Sequence, residues 1–175
     1  MSSRHHPIRI LLVCMGNICR SPSAEAIARA HAHACGLSER VALDSAGTHA
    51  YHVGEAPDPR AIACASQAGY DLSALRARQV RAVDFAHFDW IIAADRQNLA
   101  ELRRRCPTAH QHKLQLMCAW LESQDVPDPY YGGPEGFVDM IRLLEQAMAA
   151  MLAQLCPSDH HATPSHPQEG GADAY

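Results

Sequence analysis

A cysteine at position 14 is followed six positions later by an arginine, in the run Cys14-Met15-Gly16-Asn17-Ile18-Cys19-Arg20-Ser21-Pro22. These residue types at this separation suit phosphoryl transfer to sulfur. If the run curls into the start of a helix, its backbone N–H groups point inward and form a nest for a tetrahedral oxyanion. Gly16 and Asn17 tolerate the positive φ that so tight a curl needs. Arg20 supplies a planar fork for two phosphate oxygens. The same dipoles and the guanidinium favour a thiolate at Cys14. Ser21 can donate a hydrogen bond to that sulfur when it becomes the leaving group. Of the seven cysteines only Cys14 has an arginine at this spacing. The competing reading is a small buried hydrophobe that ends a strand.

Far downstream lies Val126-Pro127-Asp128-Pro129-Tyr130-Tyr131-Gly132-Gly133, an aspartate between two prolines with two aromatics after it. Alone, Asp-Pro is turn chemistry. Beside a nucleophilic cysteine it takes on another meaning. A leaving phenolate needs a general acid, and a thiophosphate needs a base to activate water. A carboxyl on a separate stiff loop serves both.

Several elements must position these groups. Arg9 to Val13 is a continuous branched-aliphatic run and reads as a buried parallel strand. Ser21-Pro22-Ser23-Ala24-Glu25 opens a helix that Gly36 stops. Val41–Ala46 reads as a second strand, Pro59–Gly69 as a second helix, and 71–88 as short helical turns. Asp89–Ala93 is a third strand, and Asp95 caps a helix that runs to Cys106. His112–Met117 fits a fourth strand. From Pro134, Phe137, Ile141, Leu144, Met148, Met151 and Leu155 recur at helical spacing. The alternation predicts an α/β fold: one domain with a doubly wound, four-stranded parallel sheet and helices on both faces. Ligands are expected at the carboxyl ends of the strands.

Composition narrows the function classes. The 175 residues are 47% hydrophobic and 19% charged, enough for one packed core. Fifteen Lys and Arg against nineteen Asp and Glu give a formal −4, so no global basic field draws the chain to nucleic acid. No apolar run approaches the ~18 residues of a membrane span, and residues 1–7 form a short arm without a secretory signal. These features predict a cytoplasmic protein whose thiols are reduced. After Pro157 the segment is rich in His, Pro, Gly and acid, which predicts a disordered tail over 157–175. His31 and His33, two apart on a helix, cannot chelate. His110 and His112 share a strand face but have no third ligand, so no metal is predicted. Cys35, Cys64, Cys106, Cys118 and Cys156 read as buried and inert, and Arg103-Arg104-Arg105 as a solvated helix cap.

The run 14–22 and Asp128-Pro129-Tyr130-Tyr131-Gly132 resemble the two signature elements of the low-molecular-weight protein tyrosine phosphatases. Asp44-Ser45-Ala46-Gly47-Thr48 and Val53–Ala61 are similar to that family's intervening segment, and the resemblance covers about residues 8–156. It implies a phosphatase domain over 8–156, with Cys14 as nucleophile, Arg20 as phosphate clamp and Asp128 as acid and then base. Met15, Gly16, Asn17, Ile18, Cys19 and Ser21 would complete the phosphate-binding loop, with Asn17 and Ser45 supporting its shape. Tyr51, Tyr130 and Tyr131 would flank an aromatic substrate ring. The family's arginine-phosphatase branch carries threonine where Ile18 stands, which points to phosphotyrosine. The implied substrates are tyrosine-phosphorylated proteins, autophosphorylated tyrosine kinases among them, with no cofactor.

Relatives use a cysteine pair such as Cys14 and Cys19 as a reversible oxidation trap. The alternative is that Cys19 is only a small loop residue. Two rival functions compete with this one, arsenate reductase on the same scaffold and a binding module of a different class. Arsenate reductase passes oxidation along further cysteines after the third strand, but Ala93–Arg105 contains none. A phosphopeptide-binding module without turnover would lack Cys14 or Asp128, and both are present.

Overall fold

The computed structural model describes residues 6–123 and 125–157, and it builds the aliphatic run into strand β1 (Ile8–Cys14). β1 pairs in parallel with β2 (Val41–Gly47) on one side and with β3 (Trp90–Ala93) on the other. β3 then pairs with β4 (Leu114–Leu116), giving the order β2-β1-β3-β4. The fold is the predicted single-domain α/β arrangement. Ile10 to Val13 are completely buried because helices cover both faces, so the strand is apolar throughout rather than alternating.

Ile10, Leu12 and Ile92 face a layer made by α1 (Arg20–Ala34), α2 (Pro59–Gln67) and α5 (Pro134–Leu155). Leu11, Val13, Ile91 and Ala93 face α3 (Ala82–His87) and α4 (Arg96–Arg105). Along α5 the side chains of Phe137, Ile141, Leu144, Met148 and Met151 are buried, and Leu155 packs half-buried at its end. The 3.6-residue period therefore located this helix correctly. Gly36 and Gly69 stop α1 and α2 with φ of 70° and 94°, where a side chain would be strained.

Several local expectations change. α1 begins at Arg20, so Ser21 and Pro22 lie within its first turn and no side chain caps it. Only Ala82–His87 of the 71–88 segment is helical. Around Gln79 the chain is extended, because Gly47 accepts from Val80 N–H and donates to the Arg78 carbonyl, which lengthens the sheet edge. β4 is shortened by a 3-10 turn over Thr108–Lys113, so His110 and His112 do not share a strand face. Cys35 is exposed and Cys64 half-buried, against the expectation that both were buried, whereas Cys106, Cys118 and Cys156 are buried. The arm over 1–7 and the tail over 157–175 fall almost wholly outside the described residues. Among the described residues no helix is long and apolar enough to cross a membrane.

Candidate active site

β1 ends at Cys14, opposite Gly47 of β2, and the loop that follows enters α1 at Arg20. β2 and β3 leave β1 in opposite directions, so this loop opens at the topological switch point, where doubly wound sheets bind ligands. Asn17 has φ 57°, the one non-glycine residue with positive φ among the described residues. Gly16, expected to share that role, does not have positive φ. It matters for space instead: a Cβ there would lie 3.0 Å from Cδ2 of His52. Gly47 is tighter still, since its Cβ would lie 2.6 Å from the Met15 carbonyl oxygen. The next two residues clamp the loop, Thr48 N–H to the Cys14 carbonyl at 2.9 Å and His49 N–H to that of Met15 at 3.0 Å.

Behind the loop runs a buried polar chain. Ser45 Oγ donates to Glu25 Oε2 at 2.6 Å, which leaves its lone pairs to accept from Asn17 Nδ2 at 3.0 Å. Asn17 Nδ2 also donates to Ser21 Oγ at 2.8 Å, and Ser21 Oγ lies 3.1 Å from Cys14 Sγ. When that sulfur is a thiolate, the hydroxyl must be the donor. Asn17 Oδ1 accepts from Arg78 N–H at 2.9 Å, and the Arg78 guanidinium bridges Asp44 and Asp84. A left-handed asparagine is thus held on every polar atom of its side chain, so the strained turn is determined by its surroundings.

Arg20 is 2% exposed. Its Nη1 lies 2.6 Å from Asp95 Oδ2 and 3.0 Å from the Val126 carbonyl, and its Nη2 lies 3.2 Å from Asp128 Oδ2. Burial opposes the guanidinium charge, but Cys14, Asp95 and Asp128 outweigh it and hold the group protonated. Asp95 also caps α4 by accepting from Asn98 N–H at 2.7 Å.

The Asp128 loop is tied at both ends. Val126 N–H donates to the Ala94 carbonyl at 2.8 Å, and Arg60 Nη1 donates to the Tyr130 carbonyl at 3.0 Å. Arg60 is itself paired with Asp58, whose carboxylate caps α2 and whose N–H bonds the Ile18 carbonyl at 2.8 Å. Hydrogen bonds from Arg60 hold the Asp58 carboxyl below its ordinary range. One continuous series of contacts therefore connects the cysteine loop to the aspartate loop.

Together these elements enclose a cavity of about 330 Å³. Cys14 and Arg20 lie at its base, the sequence from Met15 to Cys19 contributes all but Asn17, and Asp128, Tyr51, Tyr130 and Tyr131 stand around it. Tyr51 and Tyr131 are 67% and 95% exposed, so both are rim residues. Tyr130 is half-buried, with the Tyr131 ring edge-on at 4.8 Å. Asn17, Ser21 and Ser45 do not line the cavity; their side chains belong to the polar chain behind it. Cys19 is 4% exposed, and burial above all, with the Asp58 charge next, pushes its thiol well up. Among the described residues no three His, Cys, Asp or Glu side chains group as a metal site would require.

Four participants are not legible as site residues in the sequence. Asp95 reads only as a helix cap, although its place at the carboxyl end of β3 is a usable signal. Glu25, Arg60 and His52 carried no local signal, because their partners are distant or sit in an irregular loop. Arg105, read as part of a solvated cap, instead donates to the carbonyls of Thr48 and Val80 at 3.0 and 2.7 Å.

Fold and site define an α/β protein built around a tight cysteine loop at the switch point of its parallel sheet. The sequence profile of the low molecular weight phosphotyrosine protein phosphatases matches residues 9–160, and the chain belongs to that family of enzymes. It is 42% identical over 151 residues to the low molecular weight protein-tyrosine-phosphatase of Streptomyces coelicolor, covering 83% of this chain and 92% of that one. The human low molecular weight phosphotyrosine protein phosphatase is 38% identical over 132 residues, covering 73% of this chain and 83% of the human one. A crystal structure of a protein tyrosine phosphatase from Entamoeba histolytica superposes with a TM-score of 0.82 at 39% identity, covering 85% of this chain and 96% of that one.

Proposed function

We propose that residues 8–156 form a phosphatase domain that hydrolyses phosphotyrosine in proteins through a phosphorylated Cys14, without a metal. The observation that carries this reading is the convergence on one cavity of Cys14 Sγ, the Arg20 guanidinium and the Asp128 carboxyl. The Cys14 thiolate attacks phosphorus as the phosphorus–oxygen bond to the phenol breaks. Asp128, protonated for this step, gives its proton to the departing oxygen. Water then attacks the phosphocysteine while Asp128 takes a proton from it, and the P–S bond breaks. Ser21 Oγ, 3.1 Å from the sulfur, donates to the departing thiolate. Arg20 and the loop N–H groups carry the charge of the equatorial oxygens. Tyr51, Tyr130 and Tyr131 make walls suited to an aryl ring, which supports phosphotyrosine over phosphoserine.

Cys14→Ser tests the reading. The variant is expected to lose turnover while retaining phosphate and vanadate binding, and EDTA is expected to leave the wild-type rate unchanged. Residual activity within tenfold of wild type, or equal rates on phosphoserine and phosphotyrosine peptides, overturns it.

A further inference from the structure

His52 lies on the wall of the cavity, on the loop after β2, with its side chain 27% exposed. Its imidazole is set against Gly16, close enough that a methyl group there would meet its Cδ2 at 3.0 Å and its Nε2 at 3.8 Å. The ring is not free to turn. Its Nδ1 lies 2.7 Å from Oε2 of Glu55, three residues on. A carboxylate only accepts, so Nδ1 carries the proton and Nε2 is the edge left for another partner.

Among the described residues whose side chains line this cavity, only Arg20 and His52 can be cationic. Arg20 sits at the base, enclosed by Asp95 and Asp128 and the Val126 carbonyl, where it faces a phosphoryl group. A second anion on the substrate, farther from phosphorus, finds no other positive group among the described residues of the cavity wall. In its imidazolium form the ring donates Nδ1–H to Glu55 and presents Nε2–H to a substrate anion, so the pair can hold a carboxylate at the cavity wall.

From this geometry, and resting on the phosphotyrosine reading above, we infer that the His52–Glu55 pair receives an acidic residue adjacent to the phosphotyrosine. The site therefore selects acidic phosphopeptides. Glu55 acts through the ring as a positioning residue.

The test is a cycle between enzyme and peptide. Two phosphotyrosine peptides that differ only in Asp or Asn beside the phosphotyrosine are compared by kcat/KM at low salt. Wild type is expected to favour the Asp peptide about two- to fivefold, the size of a partly exposed ion pair. His52→Gln is expected to bring that ratio to about one. Glu55→Gln, which leaves the ring in place without its anchor, is expected to reduce it partway. Both variants are expected to act on the Asn peptide with a smaller change in kcat/KM than on the Asp peptide. A wild-type ratio of one, or a ratio that His52→Gln leaves intact, overturns the inference. Failure of the phosphotyrosine reading is distinct: neither peptide would be hydrolysed by any form, or Cys14→Ser would remain active on both.

Discussion

Asp95 holds Arg20 with one oxygen and caps a helix with the other: Oδ2 is 2.6 Å from Arg20 Nη1, and Oδ1 accepts from Asn98 N–H at 2.7 Å. The end of β3 and the start of α4 thereby set the direction of the guanidinium at the end of β1. The two functions can be separated, because asparagine caps a helix about as well as aspartate but cannot form the ion pair.

Asp95→Asn is therefore expected to lower kcat/KM on phosphotyrosine about tenfold to a hundredfold, the usual size of a lost charge-assisted hydrogen bond. Asp95→Ala should lose a further ~1 kcal/mol of stability through the missing cap. Steady-state kinetics and thermal denaturation of the two variants check this. Equal stabilities would show that the cap contributes nothing.

In the proposed mechanism Asp128 serves the leaving group, whereas the loop after β1 serves the phosphate. Phenolate expelled from tyrosine (pKa ~10) requires a proton, whereas nitrophenolate is a much better leaving group. Asp128→Ala should slow phosphotyrosine hydrolysis by ~10²–10⁴, with a smaller loss on p-nitrophenyl phosphate. Burst kinetics isolate the phosphorylation step. An equal loss on both substrates in the burst would assign the acid to another group, Asp125 or Glu135 being the next carboxyls in the sequence.

Gly47 makes a prediction about packing. Its Cβ would sit 2.6 Å from the Met15 carbonyl, part of the backbone of the loop after β1. Gly47→Ala should destabilise the protein by about 1–3 kcal/mol and reduce phosphate affinity, since the loop must shift. Gly132→Ala, whose Cβ meets nothing closer than 3.7 Å, should change stability by less than about 0.5 kcal/mol. Denaturant melts and phosphate titrations of both variants provide the comparison.

Cys19 links burial to redox behaviour. Peroxide is expected to oxidise the Cys14 thiolate to a sulfenic acid, with release of hydroxide. The Cys19 thiolate would then attack the Cys14 sulfur, forming the S–S bond and displacing the sulfenic oxygen as a second hydroxide. That attack needs the Cys19 thiolate, and burial keeps the group a thiol well above its ordinary range. The thiolate fraction therefore rises about tenfold per pH unit throughout the range below the raised pKa. Disulfide closure should therefore accelerate from pH 6 to 9 without levelling off, and Cys19→Ser should make peroxide damage permanent to dithiothreitol. A closure rate independent of pH, or full recovery of Cys19→Ser, would make Cys19 a passive loop residue.

Much of this architecture was legible in the chain because the deciding interactions are local. The aliphatic run of β1, the Cys14–Arg20 curl and the helical period of α5 each express a repeat or spacing within a few residues. Local patterns also brought Asp128 and its prolines to notice, since a stiff loop is encoded by its own neighbours. The errors fall where local preference met a distant partner. Ser21-Pro22 resembles a helix cap, but in the folded chain the serine hydroxyl faces Cys14 and Asn17 inside the first turn. Residues near Gln79 lack strand periodicity and become extended because they meet the free edge of β2 at Gly47. Only the tertiary structure paired Arg20 with Asp95, 75 positions away, and Arg60 with the Tyr130 carbonyl, 70 positions away. It also set His52 against Gly16. Residue type and spacing specify which chemistry a local segment can support. The direction of each charged group is decided by partners that chain folding alone brings within hydrogen-bond reach, and no periodicity in the sequence records them.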